Sequence, residues 1–189
     1  MQKDWVICSP HSYYSDIHQD FIARSCLREN RQWIYKLINS GVGTPDETVL
    51  VDNAHWLLCV DTHPGTDTRY LIVFRDPWLK TIRDLRQGDV TMLKDMHAQV
   101  LASMRQHQAD WTSFSVYFHY NPSVHQLHAH VCDKTVLCCS LVSTLRCHDM
   151  RHVVRSLAKD LLWYHKALIL TCKTKVFSRT QAVRGELRW

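Results

Sequence analysis

The amino-acid sequence predicts an α+β domain in which an antiparallel sheet is flanked by helices, and three observations carry that prediction. Three strand-like runs, Thr48 to Asp52, Trp56 to Asp61 and Arg69 to Phe74, follow one another with Asp-Asn and Pro-Gly turn signals between them. Beyond them Val90, Leu93, Met96, Val100, Leu101 and Met104 recur at helical spacing and make one apolar stripe. The chain of 189 residues is 46% hydrophobic with only five glycines and five prolines, which suits one compact domain with a core of its own. No Pro/Gly/Ser-rich linker, internal repeat or low-complexity tract divides it, so a single domain is expected over 1–189, with 1–15 and 180–189 as flexible ends.

The elements follow in order. Asp16 to Ser40 reads as helical, in one or two pieces: Phe21 and Ile22, then Trp33, Ile34, Leu37 and Ile38 keep helical spacing, and Gly41 stands where a helix ends. The three strands come next and pair antiparallel. Asp89 is placed to cap the helix that carries the apolar stripe, whose methionines are core. Ser113 to Tyr120 and Gln126 to Cys132 read as two strands around the Asn121-Pro122-Ser123 turn. Asp149 is placed to cap a last long helix bearing Val153, Val154, Leu157 and Leu161, and Ala167 to Val176 reads as a further strand.

Composition bounds the function. Twenty-three basic against 18 acidic residues give a formal net charge of +5, which fits an anionic, phosphate-bearing partner. Lys166, Lys173, Lys175, Arg179, Arg184 and Arg188 thicken toward the end, but no basic stripe interleaved with aromatics argues for coating a nucleic-acid polymer. The start, Met1-Gln2-Lys3-Asp4-Trp5, is no export signal, and apolar runs such as Leu71 to Phe74 are too short to span a bilayer, so a soluble intracellular protein without membrane attachment is expected. In that setting the eight cysteines are expected as reduced thiols. Cys132, Cys138, Cys139, Cys147 and His148 lie close together, yet no C-x2-C pair occurs, so strand-lining cysteines are expected and no structural zinc.

The chemistry concentrates in Ser115 to Cys132, S-V-Y-F-H-Y-N-P-S-V-H-Q-L-H-A-H-V-C. As a strand it sends Gln126, His128, His130 and Cys132 to one face and Leu127, Ala129 and Val131 to the other, the apolar face being the buried one. His125 falls on the opposite face from His128 and His130, which argues against a three-histidine metal site. Two neighbouring imidazoles supply a nucleophile that titrates near neutrality and a second donor for phosphate charge, the equipment of phosphoryl or nucleotidyl transfer. His119 and Ser123 converge on the same turn. With thirteen histidines in the chain, a pair at this spacing also arises without function.

This stretch resembles the histidine-triad motif, His-φ-His-φ-His-φ-φ, and is most similar to the scavenger mRNA-decapping enzymes. His119-Tyr120-Asn121-Pro122-Ser123 and Leu127-His128-Ala129-His130 carry the match, with Gln32-Trp33-Ile34-Tyr35-Lys36-Leu37-Ile38, Tyr70-Leu71-Ile72-Val73-Phe74 and Ile82-Arg83-Asp84-Leu85 upstream in the family's order, covering roughly 20 to 178. The resemblance implies a histidine-triad fold and hydrolysis of short capped (m7GpppN) dinucleotides or short capped RNA fragments, releasing 7-methylguanosine monophosphate. The enzymes act in RNA decay, so cytoplasmic and also nuclear localisation is implied, as is a homodimer. No metal or other cofactor is implied.

Residue by residue, the resemblance makes His128 the nucleophile and His130 the last motif histidine. Ser123, His119 and His130 become donors to the phosphate oxygens, and Arg151 either a phosphate contact or a solvated residue. Trp33 falls at the position that stacks on the methylated base, with core packing as the competing reading. Asp61 falls at an acidic position, with Glu47 or Asp46 as the second carboxylate; His63 falls where a lysine is expected and Thr62 where an aliphatic residue is. Gln126 stands in place of the first motif histidine, whose hydrogen bond must be made by the amide or lost. Val124 and His125 stand where the family has tyrosines, and only the catalytic portion of the family is matched. A general hydrolase of dinucleoside polyphosphates or phosphoramidates, and an inactive cap- or nucleotide-binding module, are the alternatives.

Overall fold

The computed structural model describes residues 31–40, 48–61, 69–108, 113–120, 122–133, 147–161 and 163–166, together with residues 22, 23, 26 and 110. Six strands form one sheet: β1 (Val49–Asp52), β2 (Trp56–Asp61), β3 (Arg69–Phe74), β4 (Phe114–His119), β5 (His128–Asp133) and β6 (Cys147–Asp149). Their order is β1-β2-β3-β5-β4-β6, and every neighbouring pair is antiparallel. Among the described residues the helices α1 (Gln32–Ser40), α2 (Val90–His107), α3 (Met150–Lys159) and α4 (Trp163–Lys166) accompany them. The predicted α+β architecture is therefore present. Among the described residues no helix is long and apolar enough to cross a membrane.

Opposed residues of antiparallel strands share a face, so the register divides the sheet into two sides. On one side Leu58, Ile72, Ala129, Val116 and their neighbours pack against the α2 stripe, where Leu93, Met96, Val100 and Met104 are fully buried, and against Val153 and Leu157 of α3. Each such side chain contributes about 1.5 to 3 kcal/mol on leaving water. On the other side Leu57, Cys59, Leu71 and Val73 pack against Ile34, Leu37 and Ile38 of α1. Arg75 joins these parts. Its guanidinium donates to the Asn53 carbonyl at 2.8 Å and also reaches the Ile38 carbonyl and Asp52.

Asp149 caps α3 as predicted, accepting from the backbone N–H of Arg151 and His152. Asp89 does not cap α2. Its carboxylate instead accepts from the Arg86 N–H at 2.7 Å, because Gln87–Asp89 form a 3-10 turn that feeds the helix. A similar turn, Ile82–Asp84, closes with a capping box between Thr81 and Asp84, and burial raises the Asp84 carboxyl above its ordinary range despite N–H bonds from Thr81 and Lys80. Arg83 in that turn is buried and donates to the Tyr120 hydroxyl and the Tyr164 carbonyl, each at 2.7 Å.

Boundaries shift at the termini of elements. The two strands around the turn run Phe114–His119 and His128–Asp133, and the long helix predicted to carry Leu161, α3, stops at Lys159, leaving Leu161 exposed. β6, three residues long, is an element the sequence pattern does not announce. Of the predicted helix over Asp16 to Ser40 the described part is Gln32–Ser40 with helical residues 22, 23 and 26; the predicted strand Ala167 to Val176 and the expected flexible ends lie outside the described residues. The expectation of reduced thiols is corrected at one position. Cys132 is disulfide-bonded, whereas Cys26, Cys59 and Cys147 are thiols.

Candidate active site

The site is built where β5 begins. Leu127 precedes the strand, with its N–H on the Leu79 carbonyl (2.8 Å) and its own carbonyl accepting from Phe74 N–H (3.0 Å). β5 then pairs with β3 on one side, Val73 opposite His128 and Leu71 opposite His130, and with β4 on the other, Tyr117 opposite His130. His128, His130, Tyr117 and His119 thus share the face that also carries α1.

Their rings form one cluster. His130 lies 4.5 Å from His119, 5.4 Å from His128 edge-on, and 5.4 Å from Tyr117 in a stacked arrangement, centroid to centroid. Tyr117 also meets His119 at 5.3 Å. Tyr117 is the member that sequence reasoning missed; its two-residue spacing from His119 in a strand was the available signal.

His128 is only 7% exposed, and its Nδ1 is 2.7 Å from the main-chain carbonyl of Gln126. A carbonyl oxygen can only accept, so Nδ1 carries the hydrogen and the lone pair of the neutral ring resides on Nε2. This is the tautomer a nucleophilic imidazole needs.

Gln126 lies just before the strand, fully buried. Its Nε2 donates to the carbonyls of Phe74 (2.7 Å) and Asp76 (2.9 Å). Both neighbours are acceptors, so the amide orientation is settled by chemistry, and both of its hydrogens are engaged with backbone. His125 is also buried and also precedes the strand.

The remaining candidates are spread around this centre. Ser123 is exposed in the turn before β5. Arg151 lies at the start of α3, with an exposed guanidinium 3.3 Å from the Asp149 carboxylate. Asp149 is opposite Tyr117 in the β4–β6 pair, which brings that ion pair to the edge of the same face. Burial alone would raise the Asp149 carboxyl, but hydrogen bonds from Arg151 and His152 and the Arg151 charge outweigh it and hold it below the usual carboxylate range. Asp61 ends β2 on this face, two strands from β5. Trp33, on α1, is half-buried against the core of that side. Asp46, Glu47, Thr62 and His63 lie outside the described residues, as do Cys138 and Cys139. Among the described residues no group of three His, Cys, Asp or Glu side chains is arranged to hold a metal.

An antiparallel sheet with flanking helices, carrying neighbouring imidazoles at the start of β5, is a histidine-triad-like architecture. Within it, residues 32–139 match the family described as "Scavenger mRNA decapping enzyme C-term binding". The chain belongs to that family. No curated protein sequence matches it. Among solved structures it is similar to the aprataxin ortholog Hnt3 from Schizosaccharomyces pombe, at 16% identity and a TM-score of 0.46 over 71% of this chain and 79% of that one. It is also similar to the Hnt3 ortholog in complex with DNA, at 17% identity and 0.46 over 68% and 76%, and to Hnt3 in complex with DNA and guanosine, at 16% and 0.44 over 68% and 75%.

Proposed function

We propose that the protein hydrolyses short dinucleotides capped with 7-methylguanosine, through a covalent nucleotidyl intermediate on His128. The observation that carries this reading is the His128 Nδ1–H bond to the Gln126 carbonyl, which leaves the ring's lone pair on Nε2. In the proposed reaction Nε2 attacks the phosphorus next to the methylated nucleoside. A P–N bond forms as the P–O bond to the leaving nucleotide breaks, and the departing oxygen takes up a proton. Water then attacks the same phosphorus, the P–N bond breaks, and 7-methylguanosine monophosphate leaves. His130, His119, Ser123 and Arg151 are the donors that hold the phosphate oxygens as charge develops. No metal is required.

Recognition of the base falls to Trp33, with Asp61 and Glu47 or Asp46 reading its edge and His63 close by in sequence to Asp61. Support for this part is that Trp33 on α1 and Asp61 on β2 belong to the same side of the sheet as His128 and His130. The cytoplasm and nucleus, where capped fragments arise, are the proposed locations, and a homodimer the proposed assembly.

Turnover of methylated and unmethylated capped dinucleotides, measured beside their binding, tests the reading. Hydrolysis with preference for the methylated form is expected. Equal efficiency on both points to a general histidine-triad hydrolase, and binding without turnover to a cap- or nucleotide-binding module.

A further inference from the structure

Gln126 occupies the place of a motif histidine, yet its side chain does not offer its hydrogens to the face where His130 and His119 cluster. Both are donated to carbonyls at the end of β3, on Phe74 (2.7 Å) and Asp76 (2.9 Å). The segment 74–79 held in this way is the one that fixes the peptide linking Gln126 to Leu127. The Leu127 N–H of that peptide donates to Leu79 (2.8 Å), and the next carbonyl accepts from Phe74 (3.0 Å). The peptide unit is planar, so pinning its N–H end sets the direction of its C=O. That C=O is the acceptor of His128 Nδ1–H.

From this closed set of bonds we propose that Gln126 is a positioning residue, whose carboxamide locks the acceptor carbonyl that fixes the His128 tautomer and ring plane. This rests on the hydrolase reading for its catalytic consequence and not for its structural content. A histidine at 126 would serve worse here. A neutral imidazole has one N–H for two carbonyls, and its second nitrogen would set a lone pair against the other oxygen. The carboxamide is the group with two donors on one atom and no charge to bury.

The test compares Gln126→His and Gln126→Glu with the unmutated protein in steady-state kinetics and in imidazole 15N spectra. Glutamate keeps the shape and removes both donors. Each variant is expected to lose tenfold or more in kcat with KM within about threefold, and the His128 nitrogens to shift from a pure Nδ1–H pattern toward a tautomer mixture. A Gln126→His protein as active as the unmutated one, with an unchanged His128 spectrum, would overturn the proposal. The spectra separate this from failure of the hydrolase reading, since the tautomer is readable in a protein that turns nothing over. Should the variants not fold, the unmutated protein decides. Its Gln126 side-chain amide hydrogens are expected to exchange with solvent 100-fold or more slowly than those of exposed glutamines such as Gln87, and equal exchange would overturn the proposal.

Discussion

The His128 ring gives its Nδ1 hydrogen to the Gln126 carbonyl, two residues back along its own chain and 2.7 Å away. The contact sits at the junction where an irregular segment enters β5, so the orientation of the ring is set by the local backbone as well as by packing. Kinetics at this site should therefore respond more sharply to changes in hydrogen-bond donors than to changes in volume.

His130 is the first case. Its ring is wedged between Tyr117, His119 and His128, where it can donate to a phosphate as charge develops. His130→Asn is expected to lower kcat by on the order of 10²-fold with little change in substrate binding. A reduction below threefold in steady-state assays would remove His130 from the phosphate donors.

Trp33 is the second. Methylation at N7 gives guanine a delocalised positive charge, and an indole over its face adds a cation–π attraction of ~0.5 to 2 kcal/mol that unmethylated guanine lacks. Trp33→Ala should erase a preference of roughly tenfold for the methylated dinucleotide. Because the side chain is half-buried, the stability cost should stay well under the ~3 to 5 kcal/mol of a fully buried tryptophan. A full loss of that size with the preference intact would make Trp33 a core residue only.

Chelation is the third. Turnover is expected to survive exhaustive treatment with a chelator, and purified protein to carry no stoichiometric zinc. One zinc per chain, lost together with folding, would overturn this expectation.

The fourth concerns acid. His148 is packed edge-on to the rings of Tyr120 and Tyr164, behind the sheet. Burial, then the nearby His152 and Arg83, push its pKa from 6.5 down to about 4. The unfolded chain therefore takes up this proton first as pH falls, so stability complete above pH 6.5 declines between 6.5 and about 4, by up to about 3 kcal/mol. Urea unfolding of the unmutated protein and His148→Gln at pH 7 and 4.5 should show the steeper loss in the former. Parallel slopes would mean that the site accepts the charge.

Much of this was legible in the sequence where the pattern is carried by many residues. The runs in β2 and β3 and the α2 stripe, with Met96 and Met104 fully buried, follow from periodicity alone. Single-residue inferences depended on context that periodicity does not carry. Asp149 caps its helix and Asp89 does not, because a 3-10 turn claims the Asp89 carboxylate. β6 is a three-residue edge strand with half-buried residues, too short to alternate visibly. Tyr117 joins the histidines only once the β4–β5 register is known. Gln126, read as part of the strand, precedes it, so its side chain obeys the local turn and meets β3 instead.

The most direct test of the account is acid-quenched mass spectrometry during turnover of a methylated capped dinucleotide. A 7-methylguanosine monophosphate adduct is expected on the peptide containing His128, absent in His128→Asn, which should bind substrate within about tenfold, ~1.4 kcal/mol, of the unmutated protein. Undiminished turnover by His128→Asn with no adduct on that peptide would contradict it.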